Sequence, residues 1–345
     1  VKKGENDKKK GLPVWALVIL CVAAALLVTI AAGYGYIQSK LGKINRTQDQ
    51  TALSPEEEYF ETGETLEESL DTISQEDVEW DSDAYTFSRE DVTNILLIGQ
   101  DSSDEEERTR SDSMIIVSVN KKKGKVALTS LMRDMYVQIP GYSDNRLNAA
   151  YAFGGMELLD ETIEKNFAID IDGNIEVNFD GFEAVIDAVG GVDIELNSAE
   201  VSHLNKKHST WHLKVGMNHL DGEKALEYAR IRKVGDGDFE RTDRQRRVLT
   251  AVFDEMKNIS ITRLIALADE LFPLLTTDMD NGEIIRLGIN VLSMDLDTLE
   301  TYRIPCDDAY DEVRVFARDG TAMDVLIPDL DLNRSYFYQN IYINP

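Results

Sequence analysis

Hydrophobic and polar positions alternate in three different ways along this chain. From Leu12 to Ile37 no residue is charged: LPVWALVILCVAAALLVTIAAGYGYI. An apolar run longer than about 20 residues is long enough to cross a bilayer. Trp15 and the Tyr34/Tyr36 pair sit near its two ends, as interfacial aromatics do. The run exceeds the about 7–15 apolar residues of a cleaved signal peptide. Residues 12–37 are therefore expected to form one uncleaved transmembrane helix. Lys2, Lys3, Lys8, Lys9 and Lys10 precede it, against Lys40, Lys43 and Arg46 after it. That bias places the tail, residues 1–11, in the cytoplasm and the remainder outside the cell, a single-pass protein of the cell membrane. In residues 38–91 the apolar periodicity disappears. Positions 49–91 hold sixteen acids and one base, a net of −15, so the stretch reads as a solvated extracellular linker.

Periodicity returns at Val92. VTNILLIGQD is a β-branched apolar run ending in Gly-Gln-Asp and reads as a buried strand followed by a loop. Strands are expected at 113–120 and 126–134, joined by a hairpin with Gly124 in the turn. A short strand follows at 136–140. Residues 147–153 and 156–167 read as helices split at Gly154-Gly155. Residues 174–178 and 192–196 read as strands around a helix that Asp180 would cap and Gly190-Gly191 would stop. Asp221 opens a second capped helix, 222–229. Residues 242–256, 261–271 and 282–292 read as helices, with Ser260 as an N-cap and Pro273 past the end of the second. A strand at 299–304 and a helix at 332–341 complete the chain. This alternation predicts an α/β fold, a three-layer α/β/α sandwich around a mostly central mixed sheet, in a domain spanning 92–345. VSHLNKKHSTWH (201–212) is polar and reads as a solvated loop. Its histidines lack a carboxylate or cysteine at ligand spacing, so no zinc site is expected there.

Charge sharpens the picture. The formal net charge is −28, yet Arg230, Arg232, Lys233, Arg241 and Arg244 crowd the stretch YARIRKVGDGDFERTDRQ (228–245), with Arg246 and Arg247 just past it. Like charges gather where an anion lies between them, and arginine forks onto phosphate oxygens. The competing reading pairs them with Asp236, Asp238, Glu240 and Asp243. Arg230 and Arg232 face the same way only if the chain is extended, so the helix before them is expected to fray ahead of Arg230. Arg241, Arg244, Gln245 and Val248 share one helical face. Asp101 ends one strand and Asp112 starts the next. Both could enter one crevice and hold a hard cation, or each could cap a turn. Arg110, Arg133-Asp134, Arg146 and Asn148 also stand at element ends. Cys21 and Cys306 are the two cysteines, and with Cys21 in the apolar run no disulfide is expected. Residues 92–345 carry 46 acids against 27 bases, which argues against a nucleic-acid partner.

Taken together, NILLIGQD, RSDSMIIVSV, SLMRDMYVQIPGY, RLNAAYAFGG, VNFDGFEAVIDAVGGVDI, LDGEKALEYARIR and GDFERTDRQRRVL resemble the LytR–CpsA–Psr family of cell-wall enzymes, clearly over 92–257. The resemblance implies a phosphotransferase. It would move an anionic glycopolymer, such as teichoic acid or a capsular polysaccharide, from a polyprenyl-pyrophosphate carrier to a peptidoglycan acceptor. It implies that Asp101 and Asp112 hold Mg²⁺, with Mn²⁺ as the substitute. It places Arg110, Arg133, Arg146, Arg230, Arg232, Arg244 and Gln245 around the pyrophosphate; Arg146 stands where the family often has lysine. Catalytic roles are expected for Arg133, Arg230, Arg232 and Arg241, and for Asp238 or Asp134 as base. Met132 replaces a common proline, and Gln100 a common small or apolar residue. Within the stretch, Lys233, Arg246 and Arg247 are expected to face solvent. Rival readings are a binding-only wall protein, a lipid pyrophosphatase and a membrane-tethered transcriptional attenuator.

Overall fold

The computed structural model describes residues 35–47, 52–62, 70–80, 91–100, 110–235, 237–257, 259–292, 294 and 299–343. The chain divides into two compact units, residues 1–43 and 44–345. In the first, residues 35–41 form helix α1. The rest of the expected membrane span, 12–34, lies outside the described residues. Among the described residues no helix is long and apolar enough to cross a membrane.

The second unit begins with strands β1 (Asn45–Arg46), β2 (Asp71–Ser74), β3 (Val92–Gln100), β4 (Ser111–Asn120) and β5 (Lys125–Leu131). Next come β6 (Tyr136–Val137), β7 (Asn145–Arg146), helix α2 (Leu147–Phe167), β8 (Gly173–Val177) and α3 (Phe179–Val189). Then follow β9 (Val192–Leu196), α4 (Ser198–Lys207), β10 (Gly216–Leu220), α5 (Gly222–Ala229), α6 (Gly237–Lys257) and α7 (Ile261–Leu271). The chain continues through β11 (Leu275–Thr277), α8 (Asn281–Leu292), β12 (Leu299–Ile304), β13 (Tyr310–Phe316), β14 (Ala322–Pro328) and α9 (Leu330–Tyr338).

A seven-stranded mixed sheet, order β1-β11-β8-β3-β4-β5-β12, forms the centre. Strands β3, β4 and β5 pair antiparallel, while β8 and β12 join them in parallel. Alternation along these strands divides their side chains between two faces. Leu96, Ile98, Met114 and Ile116 enter the main core with Phe153, Leu159 and Ile163 of α2 and Phe337 of α9. Leu97, Ser113 and Ile115 point the other way, toward α3, α5 and α6. Those helices build a second core with α4 and the β9–β10 hairpin, around Ile186, Leu204, Tyr228 and Val248. The α/β expectation therefore holds, and helices cover both faces of the sheet.

Several boundaries differ. The acidic stretch expected as a solvated spacer is packed in its described parts. Strand β1 pairs parallel to β11 and β2 parallel to β13. Leu53, Tyr59 and Trp80 lie against the main core, and Phe60, Ile73 and Val78 against a small core under β13 and β14. Its apolar residues are too widely spaced to register as a period, but each has a place to bury. Part of the expected loop 201–212 is helix α4, started by an Asn197/Glu200 capping box. Asn178, not Asp180, caps α3, accepting from the Gly181 amide at 2.9 Å. Helix α6 starts five residues before the expected Thr242, at Gly237, which draws Asp238 into its first turn. The kink in α2 falls where expected, at Gly155 (φ 71°, ψ −152°).

Candidate active site

Asp112 anchors the site from the second position of β4. Its Oδ1 accepts from Arg133 Nη1 at 2.8 Å, its Oδ2 lies 3.3 Å from Arg232 Nη2, and its carbonyl accepts from Arg241 Nη2 at 3.1 Å. Three guanidiniums from three segments of the chain thus meet one aspartate. Burial alone would raise the Asp112 carboxyl, but Arg241, Arg133 and Arg232 outweigh it and hold the group below its ordinary value. Asp238, in the first turn of α6, accepts from Arg241 Nη2 at 2.9 Å and lies 3.5 Å from Arg133 Nε. It is buried more deeply than Asp112. Burial wins over Arg241 and Arg133 and pushes this carboxyl upward. Two carboxylates that share Arg133 and Arg241 therefore differ in proton affinity, which is how a site separates an ionised anchor from a proton acceptor.

From this cluster a cavity of about 330 Å³ runs beneath α3, α5 and α6, along the Leu97/Ile115 face of the sheet. Its lining includes Asp112, Arg230, Arg232, Arg241 and Gln245. The same cavity is lined by Leu97, Ile115, Val177, Phe182, Leu226 and Leu249. The geometry of α5 explains the arginine pair. Helix α5 ends at Ala229, but Arg230, its C-cap, is not extended as expected: it keeps αR backbone (φ −96°, ψ 0°) and its amide donates to the Leu226 carbonyl. Arg230 and Arg232 both reach the cavity, and the Arg230 guanidinium stacks 4.1 Å from the Phe179 ring centroid. Ser113 Oγ donates to Gln245 Oε1 at 3.1 Å, tying α6 to β4. At the start of β3–β4 pairing the register shifts between Gly99 and Gln100, a bulge of the kind that re-aims side chains beside sites. Gln100 lines the cavity and donates to Tyr151 Oη at 2.6 Å.

Of the expected residues, Asp112, Arg133, Arg232, Asp238 and Arg241 come together around one point, and Arg230 and Gln245 line the adjoining cavity. Asp134 stands beside the cluster, 3.4 Å from Arg133 Nε and 3.3 Å from Arg146 Nε. Arg110 is nearly buried and reaches Asn148 Oδ1 at 3.4 Å. Two arginines are placed elsewhere. Arg244 has no exposed surface. Its Nε donates to Glu200 Oε1, its Nη1 to the Ile231 carbonyl and its Nη2 to the Val234 carbonyl and Glu240, at 2.8–3.0 Å. It shapes the 231–234 loop from behind and presents nothing to the cavity. Arg146 is equally committed, to the carbonyls of Glu61, Thr62 and Asp324 at 2.7–2.8 Å. Tyr228 turns into the second core instead of following Arg230, and Arg246 is buried, not solvent-facing; Lys233 is exposed.

Asp101 lies outside the described residues, so the expected pair of metal carboxylates is represented by Asp112 alone, and its present partners are guanidiniums. Among the described residues no group of three or more His, Cys, Asp or Glu could hold a metal ion. His203 lies on α4 and lines the cavity; His208 stacks on Trp211, centroids 3.9 Å apart. Sequence reasoning did not reach Phe179, Ser113 or Glu200. For Glu200 the Asn-x-x-Glu capping pattern at 197–200 was a usable signal.

Known proteins show similar sequences and folds. A model of the LytR_cpsA_psr family matches residues 58–330. The polyisoprenyl-teichoic acid–peptidoglycan teichoic acid transferase TagU of Oceanobacillus iheyensis is 33% identical over 297 residues, 84% of this chain and 84% of that one. The regulatory protein MsrR of Staphylococcus aureus (strain COL) is 31% identical over 67% of this chain and 70% of its own. The solved structure of the LytR-CPS2A-psr family protein YwtF (TagT) with bound octaprenyl pyrophosphate lipid superposes with a TM-score of 0.54 at 25% identity. It covers 73% of this chain and 91% of that one.

Proposed function

We propose, since this chain belongs to the LytR_cpsA_psr family, that its arginine cleft transfers an anionic glycopolymer from a polyprenyl-pyrophosphate carrier to peptidoglycan. Teichoic acid and other wall or capsular polysaccharides are the polymer class. The observation that carries this reading is the mixed lining of one cavity, which brings apolar side chains together with Arg230, Arg232 and Arg241. A lipid pyrophosphate has the matching chemistry, a hydrocarbon tail and a compact polyanion. The relative that holds octaprenyl pyrophosphate supports the match, as does the transferase name of TagU.

In this reaction a sugar hydroxyl of peptidoglycan attacks the polymer-proximal phosphorus, and the bond to the lipid phosphate breaks. Phosphoryl transfer of this kind needs positioning and charge stabilisation more than covalent help. Arg133, Arg230, Arg232 and Arg241 neutralise the pyrophosphate and the charge building on the leaving lipid phosphate. Asp238 takes the hydroxyl proton in this scheme; its upward shift brings it nearer the pH at which a base works well. Arg110 and Gln245 complete the pyrophosphate surroundings. Arg146 and Arg244 support the site through the backbone they hold. A magnesium ion, with manganese as substitute, is proposed at Asp112 and Asp101. Asp112 suits it as a carboxylate kept ionised, and the ion would add charge neutralisation at the pyrophosphate. Residues 12–37 are proposed to anchor the chain in the cell membrane, with 1–11 cytoplasmic and the catalytic unit outside.

The test is incubation of the full chain in detergent with Mg²⁺, a lipid-pyrophosphate oligosaccharide and nascent glycan strands. Wild type is expected to attach the oligosaccharide to glycan. Arg230→Ala and Arg232→Ala are each expected to lower the rate about a hundredfold, the scale of losing one charge-stabilising donor. Phosphate released into water with nothing attached to glycan would sink the transferase reading in favour of hydrolysis. Variants that transfer as well as wild type would sink the site assignment.

A further inference from the structure

Part of the acidic stretch ahead of β3 reaches Arg110 and Arg146. Residues 52–62 are gripped by their backbone. Tyr142 Oη donates to the Leu53 carbonyl, and Asn145 Nδ2 to the Tyr59 carbonyl at 3.1 Å. Arg146 donates to the Glu61 and Thr62 carbonyls at 2.7 and 2.8 Å. Glu58 accepts from the Ser143 amide at 2.8 Å and its hydroxyl at 2.9 Å. This segment is therefore a strap with a defined path.

At the end of the strap two side chains meet Arg110. The Tyr59 ring centroid lies 5.1 Å from the guanidinium carbon, within cation–π range. Glu61 Oε2 lies 3.4 Å from Nε. Asn148 Oδ1 holds Nη1 from a third side, also at 3.4 Å. Tyr59 is itself set edge-on to Phe153, centroids 5.3 Å apart. One face and two edges of the guanidinium are thus contacted. Its Nε and Nη2 are buried, and among the described residues neither makes a hydrogen bond, Glu61 meeting Nε only as an ion pair. Buried donors without acceptors are costly, and an arriving phosphate oxygen would satisfy them.

We propose that Tyr59 and Glu61 are positioning residues for Arg110, so that the strap orients this guanidinium toward the pyrophosphate. The proposal deepens the function proposed above and rests on it. Arg146 enters as the clamp that holds the strap. Glu61 acts through Arg110 and touches no reacting atom.

The experiment is a double-mutant cycle on the full chain, with Glu61→Gln, Arg110→Gln and both together, and octaprenyl pyrophosphate as the probe. Glu61→Gln is expected to weaken binding about threefold, the scale of one partly exposed ion pair. It is expected to add nothing in the Arg110→Gln background, with melting temperature unchanged throughout. Equal effects in both backgrounds would overturn the proposal, because Glu61 would then act independently of Arg110. Tighter binding by Glu61→Gln would overturn it too, because Glu61 would then compete with the ligand. A second readout does not depend on the functional reading: the rate at which phenylglyoxal modifies Arg110, followed by mass spectrometry. That rate is expected to rise in Glu61→Gln even if wild type binds no lipid pyrophosphate, and an unchanged rate removes the strap contact.

Discussion

Asp160 sits on α2 beneath β8, where Asn174 Nδ2 donates to its Oδ2 at 2.7 Å and to Asp278 Oδ2 at 2.6 Å. Burial pushes the Asp160 carboxyl up to about 8; the Asn174 hydrogen bond opposes this, and the charges of Asp278, Asp170 and Glu157 add to it. The folded value lies above the unfolded value of about 3.9. The folded protein therefore keeps a proton that the unfolded chain has released. The associated stability is fully present below about pH 4 and is lost as pH rises through about 8. Asp160→Asn is expected to flatten the fall in stability between pH 5.5 and pH 8. Denaturant melts at those two pH values check it, and a variant as pH-sensitive as wild type would be the contrary result. The arginines make a related point. Arg241 and Arg244 are three positions apart on α6, and each has an acid nearby on the same helix, Asp238 for Arg241 and Glu240 for Arg244. What draws Arg244 into the second core is Glu200, 44 positions away. A charge-bearing residue can be read from sequence as belonging near a site, but its facing depends on partners that only the fold brings close.

Helices α3 and α5 cross closely because Gly222 has no side chain. A Cβ there would lie 2.4 Å from the Glu183 carbonyl oxygen, and backbone cannot give way cheaply. The Gly222 amide also donates to Asp187 Oδ1 at 2.7 Å. The crossing sets one helix carrying Arg230 at its end against another carrying Phe179, which that arginine stacks on. Gly222→Ala is expected to cost about 1–3 kcal/mol by overpacking and to weaken lipid-pyrophosphate binding as the pair separates. Gly288→Ala, in α8 with open space around the new methyl, serves as the control and is expected to be neutral or mildly stabilising. Thermal melts and lipid binding of both variants test the contrast. Elements with strong local signals match their sequence readings: β3 as an apolar run, α5 by its Asp221 cap, α7 at both ends. Elements held from a distance do not. Strands β2 and β10 are short, and β13 is flanked by β14 on one side and by β2, from the acidic stretch, on the other. Helix α4 is polar along much of its length and starts at a cap. Half of the site's logic was legible for the same reason: Asp112 and its arginines are marked by charge at element ends, whereas the strap that meets Arg110 reads, in sequence, as solvated acid.

At the scale of the whole molecule, the chain carries a formal net charge of −28 and concentrates cations in one cleft. Arg133 and Arg241 are almost wholly inside the fold, and their charge is already met by Asp112 and Asp238. That arrangement suits a compact anion such as a pyrophosphate, which can enter a cleft and compete for guanidiniums. It does not suit a DNA duplex, whose phosphates are spread along a surface and require a matching stripe of exposed lysine and arginine. Over residues 92–345, 46 acids stand against 27 bases, so long-range repulsion would oppose approach before any contact formed. The regulatory name of MsrR makes the distinction worth measuring. The full chain is expected to give no shift of duplex DNA at about 0.1 M salt, where nucleic-acid binders hold even non-specific duplex at about 10⁻⁴–10⁻⁶ M. Micromolar or tighter binding that weakens steeply with added salt would contradict this.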